Sequence, residues 1–373
     1  KEIKPDISGI TITNTAGTVL KQDVDYKVQG YKNNINIADK SDADAPTVMI
    51  VGIGNYSGTI NLKFSIVTKS ISDNVTVEAI PDQMYTGDKI TPSLSLMYGD
   101  VVLKENTDYT LTYSNNVNPG RATIAIEGIG AYSGTLTARF NIIGNLSNTS
   151  QFTIGGYQTT YSLQANGTLQ FSDAGISITY QNQSNVDSSG NMNTMYLDSS
   201  NYEIQQYNCD RPGEGQLIFV GKNYCIGSQT IPIRVVGDLK NVEVINVNDQ
   251  YDYTGKQIKP TPIVQFGSQV LEEGEDYTIE YGNNVDVGTN SGSIVIRQVS
   301  GTDTYYTGAK TARFNIYYNL SKATVTGLND TYSYTGSEVK PIPQVTCAGK
   351  VLQKGVDYSL TYTNNIDAGT ASV

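Results

Sequence analysis

One phrase recurs five times along this chain: an Asp-Tyr or Asn-Tyr pair, a second tyrosine four or five residues on, then an Asn-rich or Gly-rich turn. It reads DYKVQGYKNN from Asp25, DYTLTYSNN from Asp108, NYEIQQYNCD from Asn201, DYTIEYGNN from Asp276 and DYSLTYTNN from Asp357. The intervals of roughly 75 to 95 residues let each copy close a small core of its own, so the phrase marks a folding unit repeated in tandem. The copies divide as 1–70, 71–145, 146–238, 239–319 and 320–373.

Within a copy the residues alternate as strands do. In DYTLTY, Tyr109, Leu111 and Tyr113 alternate with threonines, which sends one face to a core and the other to water. A leucine stands six residues before the key tyrosine in four copies (Leu20, Leu103, Leu271 and Leu352). The asparagine pair, Asn115 and Asn116 in the second copy, falls where the chain must reverse, a place where Asn tolerates the left-handed conformation. Ala122, Ile124 and Ile126 and then Leu136, Ala138, Phe140 and Ile142 are expected inward on the two strands that follow. YTG at Tyr85–Gly87 reads as a turn, and Pro92 as an edge or a strand start.

Short alternating strands with turns every 8–12 residues or so predict an all-β fold, a tandem array of immunoglobulin-like β-sandwich domains forming an elongated rod. The joins at VTKSIS, IGNLSN, VGDLKN and YYNLSKA contain no flexible linker, so neighbouring copies are expected to swing little. KEIKP at the start matches GDKITP, GKQIKP and GSEVKP, which follow a Tyr-Thr pair and an opening strand in later copies. The first copy is therefore read as lacking its first strand and the last as lacking two, with 320–373 not expected to fold alone.

The net charge of -11 and pI near 4.6 offer nothing to a phosphate backbone, so nucleic acid is not an expected partner. No apolar stretch reaches the ~18 residues of a membrane span. Without a single histidine, the usual general base and the commonest metal ligand are missing, and each repeated Asp recurs as a structural cap rather than as one of a unique catalytic pair. The chain is accordingly read as non-catalytic, with no cofactor and no metal. Turns such as NNVNPG and NNVDVG lack the dense acids of a calcium loop. No lysine keeps a fixed inward position, as a buried crosslink would need.

The ordered set YTG, I-x-P, L-x-x-G-x-DY, Y-x-NN, G-x-G-x-YSGT and F-x-I resembles the tandem Ig-like repeats of large secreted or wall-attached surface proteins of Gram-positive gut bacteria. The resemblance implies an extracellular, surface or secreted location. It further implies a stalk or binding array of an adhesin, a binder of host protein (immunoglobulin in the superantigen manner, or mucin) or glycan, or the accessory repeats of a large glycosidase. A monomeric rod is the expected state.

Candidate binding residues lie where the pattern falters. The third copy lacks YTG and I-x-P and inserts QNQSNVDSSGNMNTMY, a polar stretch of the kind that carries recognition on a rigid sandwich. Asn182, Asn185, Asp187, Asn191, Asn193 and Tyr196 are its candidates. Tyrosine is abundant at 27 residues while tryptophan is absent, and most tyrosines repeat with the fold. The doubled Tyr305-Tyr306 and Tyr317-Tyr318 break the pattern, so Tyr305 and Tyr306 join the candidates. Cys209 and Cys225 share the third copy. A simple hairpin would hold them roughly 20 Å apart, beyond bonding reach, yet two cysteines in one exported domain invite a disulfide, and both readings stand. Cys347 aligns with Phe266 as a buried apolar thiol.

Overall fold

The alternation becomes two kinds of sheet. In a computed structural model, which describes residues 1–301 and 304–373, the second copy forms a three-stranded sheet from Val75–Val77, Leu96–Tyr98 and Val101–Val102. Its other sheet runs Gln83–Met84, Thr135–Asn145, Gly120–Gly128, Tyr109–Ser114, and the first pair in that order is parallel. Ala122, Ile124, Ile126, Ala138, Phe140 and Ile142 are buried as their spacing requires, and Leu136 is half-buried. The fourth copy repeats the plan, with Gln250–Asp252 parallel to Ala309–Tyr317 and a core of Val264, Ile294, Ile296, Phe314 and Ile316. The fold is a nearly all-β tandem array of immunoglobulin-like sandwiches; among the described residues the helical turns are an α-helical turn at Ile71–Asn74 and 3-10 turns at Ser199–Asn201, Leu239–Asn241 and Leu320–Lys322.

The repeated phrase has a defined task in this plan. Asp25, Asp108, Asp276 and Asp357 each accept, through Oδ2, the backbone N–H four residues upstream (Lys21, Lys104, Glu272 and Gln353) at 2.8–2.9 Å. The second asparagine of the pair is buried: Asn34, Asn116, Asn284 and Asn365 donate from Nδ2 to the carbonyls of Ile3, Ile90, Ile258 and Val339. Those four residues return their N–H groups to the asparagine carbonyls. Tyr113, Tyr281 and Tyr362 donate to the carbonyls of Pro92, Pro260 and Pro341. Y-x-NN and I-x-P are therefore one device that ties a core strand to the segment beside it, and DY caps the turn that leads into that strand. The first asparagines, Asn33, Asn115 and Asn364, take the left-handed turn with φ of 54–56°.

The chain divides into two compact units. One comprises 1–153, 179–202 and 221–227; the other comprises 154–178, 203–220 and 228–373, so the division runs through the third copy. That copy keeps both kinds of sheet, Phe152–Gly155 with Ser177–Val186 and Met192–Tyr196, and Thr160–Leu163 with Ser228–Asp238, Gly213–Gly221 and Tyr202–Tyr207. In the fifth copy Val345, Cys347 and Leu352 form a small core with Tyr318, Ala323 and Tyr358.

Candidate functional site: the joints and the inserted hairpin

The joins are structured, and they repeat. At the first three joins the last residues of a copy pair in parallel with the Y-x-G segment of the next, which reads Cys-Ile-Gly in the third copy. Tyr132–Ser133 lie against Lys69–Ser70, Cys225–Ile226 against Gly144–Asn145, and Tyr306–Thr307 against Gly237–Asp238. The Lys69, Gly144 and Gly237 N–H groups donate to the carbonyls of Ala131, Tyr224 and Tyr305 at 2.9–3.0 Å.

A cap then turns the chain. Ser70 Oγ, Asn145 Oδ1 and Asp238 Oδ1 accept the N–H two residues on, from Ser72, Ser147 and Lys240. The residue after the cap, Ile71, Leu146 or Leu239, is wholly buried at 0 % exposure. Burying such a side chain stabilises by about 1.5–3 kcal/mol, which makes each join part of a core rather than a tether. The glycines of Y-x-G are required here. Gly134, Gly227 and Gly308 hold positive φ, and a Cβ on them would strike Ser72, Asn145 and Asp238 respectively.

YTG proves to be more than a turn. Tyr85 is 5 % exposed, its ring 5.4 Å from Phe152 and 5.5 Å from Tyr180 of the third copy, and its hydroxyl donates to the Gln181 carbonyl. Burial pushes this phenol up to about 12. Gln183 N–H donates to the Gly87 carbonyl, and Asn182 Nδ2 to Asn118 Oδ1 at 2.8 Å. In the second unit Tyr253 of the same motif packs edge-on to Tyr318 at 4.9 Å, while Lys322 and Asn319 both bond Asp252. From sequence YTG reads only as a turn. The tyrosine carries the docking, and its recurrence ahead of Gly in each regular copy is the signal that could have shown it.

The inserted stretch is a β-hairpin of Ser177–Val186 and Met192–Tyr196, and its inner face grips the second copy. Asn182 is thereby removed from the candidate ligand contacts, because it is buried in that grip. Asn185 is half-buried, donating to Met195 Sδ and accepting from Asn193 Nδ2. Asp187 organises the turn: Oδ1 accepts the Ser189 and Asn191 N–H groups and Oδ2 the Asn191 side chain, bonds that hold its carboxyl below the usual range. Asn191 and Asn193 are exposed, and Tyr196 is 69 % exposed.

The doubled tyrosines belong to the joint in the second unit. Tyr305 lies under the Arg234 guanidinium, 4.5 Å from ring to carbon, and its hydroxyl donates to Glu214. Tyr306 is a correction: only 2 % exposed, edge-on to Phe266 and against Gly237, it has no face for a ligand. It fills the place of Tyr132 in the second copy and Cys225 in the third, and Tyr305 fills that of Ala131; the doubling concealed this equivalence. Cys209, Cys225 and Cys347 are free, buried thiols, and burial pushes Cys225 up to about 11. Among the described residues no three His, Cys, Asp or Glu side chains converge as a metal would need, and no helix is long and apolar enough to cross a membrane.

No protein-family model and no curated protein matches the chain. Among solved structures, the protocadherin gammaB7 EC3-6 cis-dimer is similar at 12 % identity over 80 % of this chain and 93 % of that one, with a TM-score of 0.19. Immunoglobulin domains 1-5 of Sidekick-1 are similar at 10 % identity over 81 % of this chain and 73 % of that one, also with a TM-score of 0.19.

Proposed function

We propose that this chain is a non-catalytic stalk of five Ig-like repeats, divided as the sequence copies divide, in an extracellular surface adhesin of Gram-positive type. The observation that carries the reading is the repeated joint. Chain ends paired with the next copy, a capped turn and a buried Ile71, Leu146 or Leu239 restrict swing at the first three joins, as a spacer that projects a binding function requires.

Spin labels test it on the whole chain. Val24→Cys and Val101→Cys stand at exposed positions of the first two copies, and the native thiols are buried from the reagent. The expected result is one narrow inter-label distance distribution that broadens in an Ile71→Gly background. A broad distribution in the unmodified joint, or small-angle scattering from a compact globule, refutes the stalk.

A further inference from the structure

The regular copies end their three-stranded sheets in short edges: Val101–Val102, Gln269–Val270 and Lys350–Val351 are two residues each. In the third copy the corresponding edge is Met192–Tyr196, five residues of sequence MNTMY. No other strand among the described residues pairs with its outer side. Natural edges are blunted by charge, proline, bulges or brevity, and this strand has no charge, no proline and no glycine. Its register with the neighbouring strand, Tyr196 opposite Thr179 and Thr194 opposite Gln181, turns Met192, Thr194 and Tyr196 outward, away from the buried Tyr180 and Asn182. Val186 stands opposite Met192 beyond a register shift between Gln181 and Val186, an irregularity in the inner strand that leaves Met192–Tyr196 itself unbroken. Val186, Met192 and Tyr196 are 49 %, 45 % and 69 % exposed.

We infer that Met192–Tyr196 pairs antiparallel with the same strand of a second copy of this chain, joining two three-stranded sheets across a two-fold axis. The strand is self-complementary about Thr194. Thr194 meets its own symmetry mate, and Met192 meets Tyr196 twice, a sulfur–aromatic contact of the kind that stabilises cross-strand pairs. A lysine or a carboxylate anywhere in the strand would bring like charges close together, and there is none. The one acid of the hairpin, Asp187, sits at the far turn, which this register places about 30 Å from its mate, well beyond the ~10 Å screening length. The expected monomer thus becomes a reversible dimer through one strand.

Sedimentation velocity on the full chain, up to about 1 mM, measures the association directly. Thr194→Lys is expected to raise the dimer dissociation constant at least tenfold, since it sets two cations face to face. Thr194 is exposed, so the substitution leaves the fold intact. Thr194→Cys is expected to form an intermolecular disulfide under mild oxidation much faster than Val67→Cys, a 76 % exposed control, against the background of buried native thiols. A chain that stays monomeric throughout, a Thr194→Lys variant that dimerises like the parent, or equal crosslinking at the two positions overturns the inference. Monomers that capture an extended peptide instead would assign the edge to a foreign strand, which also overturns it.

Discussion

Tyr85 and Tyr334 occupy the same place in the same motif, and the structure assigns them opposite energetic weight. Tyr85 is 5 % exposed between Phe152 and Tyr180, whereas Tyr334 is 68 % exposed. Truncating Tyr85 to alanine removes most of a buried aromatic side chain together with two ring contacts and a hydroxyl bond, a loss of about 3–5 kcal/mol by the usual cost of such cavities. In a unit of this size 1 kcal/mol moves the midpoint by about 2–4 °C, so its thermal transition should fall by about 10 °C. Tyr334→Ala at an exposed position should stay within about 0.5 kcal/mol, and Tyr85→Phe, which loses the bond to Gln181 alone, should cost about 1 kcal/mol. Differential scanning calorimetry of the full chain reads all three variants. Equal shifts for Tyr85→Ala and Tyr334→Ala would show that YTG acts within its own copy, and the docking argument would fail.

Two further outcomes follow from named groups. Asn116→Ala should destabilise its unit by about 1–3 kcal/mol in chemical denaturation, because it empties a buried side-chain position and takes the donor from the half-buried Ile90 carbonyl, whereas Asn115→Gly, at φ 54°, should be close to neutral. Burial raises Tyr85 from 10.0 to about 12, so the folded state resists ionisation that the unfolded chain undergoes freely. The stability tied to this phenol is full below pH 10 and is lost as pH rises from about 10 to about 12. Tyr85→Phe should flatten that part of the alkaline melting profile; a profile unchanged by the substitution contradicts the assignment.

The class of fold was readable because Ile124, Ile126, Phe140 and Ile142 obey a period of two and lie buried where that period places them. The repeated aspartate was readable as a cap for a similar reason, since its bond spans only four residues. What stayed hidden depends on pairing between distant residues. Asn115 and Asn116 look alike in sequence, and only the reach of Asn116 to Ile90, 26 residues away, separates a turn residue from a buried clamp. Asn182 read as surface because its neighbours are polar, and its burial comes from Asn118, 64 residues upstream. Tyr306 read as surplus because Tyr305 stands beside it in the place that Ala131 holds in the second copy, so the equivalence of Tyr306 with Tyr132 was concealed by the doubling.

The division of labour along a copy explains why some positions repeat and others drift. Y-x-NN and I-x-P satisfy one another inside a copy, so altering one member leaves its partner unpaired, and in the third copy I-x-P is missing and the asparagine pair is replaced by Cys209 and Asp210. Joint positions face a neighbour instead. The residue before the cap is Lys69, Gly144, Gly237 or Tyr318, and the residue it meets varies with it. Lys69 lies over the rings of Tyr98 and Tyr132, and Gly144 leaves room for Phe152 and Cys225. Gly237 does the same for Tyr306, and Tyr318 packs against Val345, Cys347 and Leu352 of the fifth copy. A bulky residue at Gly144 would collide with the Phe152 ring, just as a glycine at Lys69 would leave two tyrosine faces without their cation. Each joint is therefore matched to its own pair of copies. Exchanging the second and third copies while keeping every internal motif should preserve the separate cores and lose the joints.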